Sequence, residues 1–142
     1  MIVLDTNVVS ALMTARDDGV DAWLDTVPRQ ELFTTVITRA EIRYGLARLP
    51  EGRRRDDLTR RADALFDEVA DRTLIFGLDA SDRYGELVAA RERSGAPISV
   101  PDAQIASIAF VHRASVATRN TQDFRNCGID VINPFTPNES RA

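Results

Sequence analysis

The chain has 142 residues, of which 44% are hydrophobic and 28% charged, and its formal net charge is −4. This length predicts one domain with a full hydrophobic core, and the composition excludes a disordered chain. No apolar run is long enough to span a bilayer, which excludes an integral membrane protein.

The numbers of cysteines and lysines indicate the cellular compartment and exclude chemistry that requires a lysine. Cys127 is the single cysteine, which excludes an internal disulfide and fits a reducing cytoplasm. The N-terminus MIVLDTN has no basic lead, so we expect no signal peptide and a cytoplasmic protein. All 18 basic residues are arginine. Without lysine, the chain has no Schiff-base lysine and no lysine to bind phosphate.

Apolar patterns predict strands that alternate with helices along the chain. The predicted strands are residues 1–5, 31–37, 73–76, 115–118 and 129–132. The predicted helices are residues 7–14, 18–26, 38–48, 54–70, 80–94 and 99–112, with a turn or helical turn at 121–126. Such alternation is typical of the α/β class, here an α/β/α sandwich around a parallel sheet of about five strands.

Four acids fall where this fold would bring them together. Asp5 closes the first strand, Glu41 follows the second, Asp102 lies in the first turn of a helix, and Asp123 follows a later strand. Ligands of open parallel sheets bind outside the carboxyl ends of the strands. Clustered carboxylates repel one another unless a cation holds them, and Mg²⁺ and Mn²⁺ prefer oxygen ligands. The pattern therefore predicts metal-assisted phosphodiester chemistry.

Each acid also has a purely structural interpretation. Asp5 is a good cap for the helix that follows it. Thr38 and Glu41 fit a capping box, in which the glutamate reaches back to the first amide of the helix. Asp102 lies where a negative charge interacts favourably with the dipole of its helix, and Asp123 lies where a turn residue is expected.

Polar and basic side chains lie beside the acids in sequence. Candidates for orienting the acids or binding substrate are Thr6, Asn7, Thr118 and Asn120. Candidates for holding RNA phosphates are Arg39, Arg43, Arg119 and Arg125. A net charge of −4 is unusual for a nucleic-acid-binding protein, but setting the four site acids aside leaves 18 acids against 18 arginines. The charge therefore argues against tight non-specific binding and leaves a selective nuclease open.

Five segments resemble the PIN-domain ribonucleases of the VapC toxin family, and in particular its FitB-like members. They are IVLDTNVVSAL, TTVITRAEIRYGL, SVPDAQIASIA, VATRNTQDF and DVINPF, in the order and spacing of that family. The resemblance implies a PIN domain over residues 1–136 and a C-terminal tail over 137–142. It also implies the toxin of a type II toxin–antitoxin pair, which cuts RNA with Mg²⁺ or Mn²⁺ and so inhibits translation and growth. Its implied partners are an RNA substrate such as tRNA or rRNA, a cognate VapB-type antitoxin, and a second copy of the chain.

The resemblance also implies roles for individual residues. Asp5, Glu41 and Asp102 match the first three acids of the family. At the fourth position many members have an acid where this chain has Asn120, so Asp123 is the only carboxylate there and one bound ion is expected rather than two. In the implied mechanism Asp5 and Asp102 hold the ion, and a water that it activates attacks the phosphodiester. Glu41 and Asp123 complete the site through water or by orienting the nucleophile.

Two other functions remain open from the sequence. The strand followed by Asp5-Thr6-Asn7 superficially suits an aspartyl-phosphate phosphatase or a receiver domain, although such sites use a lysine that this chain lacks. The second alternative is a catalytically silent PIN-like module that only binds RNA or a partner.

Overall fold

The sheet of the protein contains five short parallel strands within the part of the chain that the structure describes, and the strand Ile2–Leu4 is the central one. The computed structural model describes residues 1–14 and 17–135. The strands are β1 (Ile2–Leu4), β2 (Leu32–Thr35), β3 (Thr73–Leu74), β4 (Ser115–Ala117) and β5 (Val131–Ile132). Their order across the sheet is β3-β2-β1-β4-β5, and every neighbouring pair is parallel.

Helices cover both faces of this sheet. They are α1 (Thr6–Thr14), α2 (Asp18–Leu24), α3 (Val36–Arg48), α4 (Arg53–Glu68), α5 (Leu78–Arg93) and α6 (Val100–Val111). Short 3-10 helices occupy Arg29–Glu31, Ala70–Arg72 and Thr121–Phe124. The predicted α/β/α sandwich is confirmed, and the predicted elements match the observed ones to within two residues at each end.

Two apolar clusters form the core, one on each side of the sheet. Val3 packs with residues of α5 and α6, whereas its neighbour Leu4 packs with α1 to α4. Successive side chains of a strand point to opposite faces, so this central strand contributes to both clusters. Helix α6 is the most buried helix, since a continuous run from Ile105 to Ala109 is fully buried. This helix therefore lies at the centre of its side of the sheet.

The boundary between β2 and α3 differs from the predicted one in a way that matters for the site. The sequence pattern favours one strand over residues 31–37, but β2 ends at Thr35 and α3 begins at Val36. Thr35 is the N-cap of α3, and its side-chain oxygen accepts a hydrogen bond from the backbone N–H of Thr38 at 3.1 Å. Thr38 is thus already inside the helix.

Two sequence-based expectations concern parts of the chain beyond this core. Among the described residues, no helix is long and apolar enough to cross a membrane. The predicted C-terminal tail, residues 137–142, lies outside the described residues. Phe135, just before it, is buried in the cluster that contains Leu4.

Candidate functional site

A cavity of about 520 Å³ lies at the carboxyl edge of the central strands. Its walls include three of the four predicted acids, Asp5, Glu41 and Asp102. They come from separate parts of the chain: directly after β1, from α3, and from the first turn of α6. The parallel topology places these elements at one edge, as the sequence predicted.

Asp5 is buried and held by three donors. Only 4% of its surface is exposed. The Thr118 hydroxyl donates to Oδ2 at 2.7 Å, the backbone N–H of Thr6 donates to Oδ1 at 2.8 Å, and the Asn7 amide is 3.4 Å from Oδ2. A side-chain cap would accept from the second or third amide of the helix. The Asp5 carboxylate instead accepts from the first amide of α1, so capping does not account for its burial.

Burial and repulsion both raise the pKa of Asp5 above its ordinary value. Loss of hydration is the main cause, and the negative charges of Glu41 and Asp123 add to it. Hydrogen bonds from Thr118 and Thr6 oppose this rise, because they favour the ionised form. The hydrogen bonds thus fix the orientation of the carboxylate, but its ionised form is electrostatically unfavourable without a nearby cation.

Glu41 does not belong to a capping box, because Thr35 and not Thr38 begins helix α3. Its Oε1 accepts a hydrogen bond from the Thr6 hydroxyl at 2.8 Å. The Thr38 hydroxyl lies 3.1 Å from the same Thr6 oxygen. The contact fastens α3 to the start of α1 and turns the glutamate toward the cavity. The interpretation of Glu41 as part of a capping box with Thr38 is therefore wrong.

Asp102 is half-buried in the first turn of α6. Ser99 is the N-cap of this helix, and its hydroxyl oxygen accepts from the backbone N–H of Asp102 at 3.3 Å. Loss of hydration is the main cause that raises the pKa of Asp102, and repulsion from Asp5 and Asp123 adds to it. A helix N-terminus by itself would lower the pKa of a carboxyl. The net rise therefore means that burial and the neighbouring acids dominate its environment.

Thr118 connects the polar residues predicted to surround the acids. Its hydroxyl donates its one proton to Asp5 and accepts from the Asn7 amide at 3.2 Å and from the backbone N–H of Asn120 at 3.0 Å. A hydroxyl has one proton and two lone pairs, so Thr118 is fully used. Asn7 in turn accepts from the backbone N–H of Arg119 at 3.1 Å. The end of β4 is thereby fixed to the start of α1.

The fourth position of the site has two candidates, Asn120 and Asp123, and the segment that joins them is called the fourth corner below. The two residues lie in different places. Asn120 lines the cavity, whereas Asp123 is exposed on the 3-10 helix Thr121–Phe124 and is not part of the cavity wall. The backbone N–H of Asp123 donates to the Asn120 carbonyl at 3.0 Å. Loss of hydration is the main cause that raises the pKa of Asp5 and of Asp102, and repulsion from Asp123 adds a smaller contribution to each. Its charge therefore reaches the cavity although its side chain does not line it.

The chemistry of these residues fits a hard divalent cation. All the acids offer oxygen, which Mg²⁺ and Mn²⁺ prefer. Within residues 1–14 and 17–135, no three or more Asp, Glu, His or Cys side chains lie close enough to hold one ion together. Mg²⁺ commonly uses one or two carboxylates and keeps several waters. The site thus fits an ion with few direct protein ligands.

The arginines near the acids in sequence separate clearly in space. Among the four predicted phosphate contacts, Arg119 lines the cavity, and its guanidinium lies 4.0 Å from the centre of the Phe135 ring. Arg39 and Arg43 instead lie 5.0 Å from the ring of Phe66, between α3 and α4. A different arginine, Arg91, is buried behind the site, and no sequence pattern points to it.

The family model of the PIN domain matches residues 2–129, which is most of the chain. The chain belongs to the PIN-domain family. The same elements that carry this match, β1 through the segment after Thr121–Phe124, also carry the acids of the cavity.

Relatives within the family place the chain on its VapC and FitB branch. The chain is 44% identical to VapC ribonuclease Y4jK of Sinorhizobium fredii over 139 residues, covering 96% of this chain and 99% of that protein. It is 34% identical to toxin FitB of Neisseria gonorrhoeae over 137 residues, covering 95% and 99%. The structure of FitAB bound to the IR36 DNA fragment superimposes with a TM-score of 0.89 at 32% identity, covering 98% and 99%. The resemblance seen in the sequence motifs is confirmed.

Proposed function

We propose that this PIN-domain protein is a Mg²⁺- or Mn²⁺-dependent endoribonuclease and the toxin of a type II toxin–antitoxin pair. The observation that supports this most directly is the shared cavity of Asp5, Glu41 and Asp102 in a chain 44% identical to a VapC ribonuclease. The proposed PIN domain spans residues 1–136, and the proposed site of action is the cytoplasm.

Asp5 and Asp102 are the residues that would hold the ion directly. Burial and neighbouring acids raise the pKa of both, so a cation beside them removes a cost that the empty pair carries. Bound there, the ion would supply an activated water and neutralise charge that develops on the phosphate. Glu41, whose Oε1 accepts a hydrogen bond from the Thr6 hydroxyl at 2.8 Å, would orient a water in the cavity or accept a proton from it. Asp123 would add negative charge from outside the cavity wall.

The polar residues around the acids act as supports in this proposal. Thr118 and Thr6 hold the two oxygens of Asp5 in place, which fixes the direction of its free lone pairs. Asn7 holds the end of β4 through Thr118 and the Arg119 backbone. Such outer hydrogen bonds orient metal ligands and preserve the geometry between turnovers.

Arg119 is the residue best placed to contact RNA. It lines the cavity, its guanidinium rests on the Phe135 ring, and none of the described carboxylates forms an ion pair with it. A guanidinium presents paired N–H groups to a phosphate. We therefore assign Arg119 to a phosphate beside the scissile bond, and we assign no such role to Arg39 or Arg43.

The proposed protein partner is a cognate VapB-type antitoxin. Toxin FitB and the FitAB complex are the relatives on which this rests, at 34% and 32% identity. The proposed substrate is a cellular RNA, for which tRNA and rRNA are the first candidates, and cutting it would stop translation and growth. Aspartyl-phosphate chemistry gains no support, because the chain has no lysine to hold the phosphate.

The test is cleavage of purified total RNA with Mg²⁺ or Mn²⁺, with and without a chelator. We expect cleavage that chelation abolishes and fresh metal restores. Asp5→Asn and Asp102→Asn should remove cleavage and growth inhibition while the circular dichroism spectrum stays unchanged, and Glu41→Gln should also be inactive. The matched control is Asp67→Asn, an exposed acid of α4 outside the cavity.

Several outcomes would count against the proposal. Full activity of purified Asp102→Asn would remove the metal-site interpretation. Metal-dependent RNA binding without cleavage would favour the silent PIN-like module instead.

Sequencing of RNA ends after brief expression of the protein alone would identify the substrate, since new 5′ ends should accumulate at defined positions.

A further inference from the structure

Arg91 is a buried cation on α5. Only 6% of its surface is exposed, and no carboxylate of residues 1–14 or 17–135 forms an ion pair with it. Burying an unpaired charge is costly unless many hydrogen bonds replace its water. A guanidinium in such a place therefore needs a compensating set of acceptors.

Those acceptors come from two segments that lead into the site. Nε of Arg91 donates to the Ala96 carbonyl at 2.6 Å, in the loop between α5 and α6. One terminal nitrogen donates to the carbonyls of Asp123 and Arg125, each at 2.9 Å, and lies 3.4 Å from the Cys127 sulfur. The first segment continues into the turn that carries Asp102, and the second carries the fourth corner of the cavity.

We infer that Arg91 is a positioning residue for the metal site, holding the Asp102 and Asn120–Asp123 segments at a fixed separation behind the cavity. The inference rests on the proposed metal-dependent function and adds a residue to it. Arg91 does not line the cavity. Its effect therefore passes through the backbone of both segments.

Lysine is not equivalent to arginine at this position. A guanidinium presents donors in a rigid fork, whereas an ammonium is a point charge on a flexible stem. Arg91→Lys keeps the charge but has no planar fork with which to reach the Ala96 carbonyl and the Asp123 carbonyl together. Arg91→Gln removes both the charge and the fork.

Arg83 provides the matched control on the same helix. Its guanidinium lies 3.8 Å from the Phe110 ring centre and donates to the Cys127 carbonyl at 3.2 Å. It therefore fastens α5 to the end of the second segment at Cys127, and it makes no hydrogen bond to the Ala96, Asp123 and Arg125 carbonyls that Arg91 holds. Arg83→Gln should lower the melting temperature without changing the metal site.

The experiment is calorimetric titration of Mn²⁺ into the full-length protein, with the melting temperature of each variant measured in parallel. We expect Arg91→Lys and Arg91→Gln to bind Mn²⁺ roughly 10- to 100-fold more weakly than wild type, the usual effect of losing a support of a metal ligand. Arg83→Gln should bind Mn²⁺ with wild-type affinity, even if its melting temperature falls as much as those of the Arg91 variants.

The outcomes separate the inference from the proposed function. If wild type fails to bind Mn²⁺, the proposed metal dependence and the inference fall together. If wild type binds and Arg91→Lys binds equally well, the inference is overturned and the proposed function stands. Equal weakening in Arg83→Gln would also overturn it, because loosening of α5 in general would then explain the loss. Arg91→Lys decides the matter if Arg91→Gln does not fold.

Discussion

Asp5 illustrates how a single residue can oppose folding while serving a site. The residue is 4% exposed, and loss of hydration raises the pKa of its carboxyl group, with repulsion from Glu41 and Asp123 adding to the effect. A group whose pKa is higher in the folded state binds its proton more tightly there. Its contribution favours folding below the unfolded pKa of about 3.9 and is lost as the pH rises through the folded pKa.

We therefore predict that the free energy of unfolding of the metal-free protein falls as pH rises from about 4 toward neutrality, the interval that begins at the ordinary pKa of an aspartate side chain. Asp102 contributes in the same direction, since its pKa is also raised. Asp5→Asn should flatten this dependence and be at least as stable as wild type at pH 7 without metal. Urea unfolding in a chelating buffer at several pH values measures both effects.

Metal should reverse this cost in the wild type. Saturating Mn²⁺ at about 100 times its dissociation constant stabilises a folded protein by about 2.7 kcal/mol, and Asp5→Asn should gain much less. A metal-free Asp5→Asn protein clearly less stable than wild type would instead show that the carboxylate stabilises the start of α1.

The fourth corner supports a second prediction at this scale. Asn120 lines the cavity and Asp123 does not. Asn120→Asp would place a new anion on the cavity wall and should tighten Mn²⁺ binding. Asp123→Asn should weaken binding by a few fold, because a solvent-exposed charge acts at short range with roughly 1 kcal/mol. Asn120→Ala should reduce cleavage with a smaller change in metal affinity.

Calorimetry with Mn²⁺ compares the three variants directly. Wild-type affinity in Asp123→Asn would reduce Asp123 to a turn residue and leave a site of three acids. Unchanged affinity in Asn120→Asp would place residue 120 outside the reach of the ion.

At the scale of elements, the start of α3 determines where Glu41 points. The Thr35 side chain is fully buried and caps the helix through the backbone N–H of Thr38 at 3.1 Å. Thr35→Ala should lower the free energy of unfolding by about 1 kcal/mol, the usual cost of losing an N-cap. Thr35→Ser keeps the capping oxygen and is the control. Chemical denaturation that gave equal losses in both variants would assign the effect to the lost methyl group.

Element types are predictable because their apolar periodicity is clear, and the junction of β2 and α3 is not. In the run TTVIT, Thr35 and Thr38 are three residues apart and either is able to cap a helix, whereas the β-branched residues of the run favour a strand. Pairing of β2 ends at Phe33 with β1 and at Thr35 with β3, and that tertiary limit selects Thr35 as the cap. The capping box with Glu41 is a local pattern that the fold does not use.

The candidate site shows the same division between what topology predicts and what packing decides. Asp5, Glu41 and Asp102 are expected at one edge, because parallel strands bring their carboxyl ends together. The exposure of Asp123 depends on how one 3-10 turn packs, which no spacing encodes. Sequence reasoning misses Arg91 because an arginine near the end of a helix ordinarily lies in water, and its acceptors are backbone carbonyls from distant segments.

On the scale of the whole molecule, the apolar residues of α1 and α2 are core rather than spare surface. Val9 and Met13 are buried, and Leu12, Trp23 and Leu24 pack against the same cluster. The sequence leaves open whether these residues form an interface, and the fold uses them internally. Val9 and Met13 are therefore not available for self-association, whereas Leu12, Trp23 and Leu24 are only partly buried.

The connection between β3 and α5 exposes unusual apolar area. Ile75 is 68% exposed and Leu78, the first residue of α5, is 88% exposed. Both follow β3, which is an edge strand of the sheet. Two large aliphatic side chains so close together in a short loop are better placed for a partner surface than for water.

We predict that the isolated protein is a homodimer and that Leu78 contributes to its interface. Burying a leucine gains roughly 1.5–3 kcal/mol, and a two-fold interface uses the same residue on both subunits. Leu78→Ser should therefore weaken dimerisation at least about tenfold, since each 1.4 kcal/mol changes affinity about tenfold. Leu78→Met keeps the apolar area and should remain dimeric.

Light scattering at micromolar concentration measures the mass of each variant. A monomeric wild type would contradict the dimer, whereas a dimeric Leu78→Ser would move the interface away from this loop.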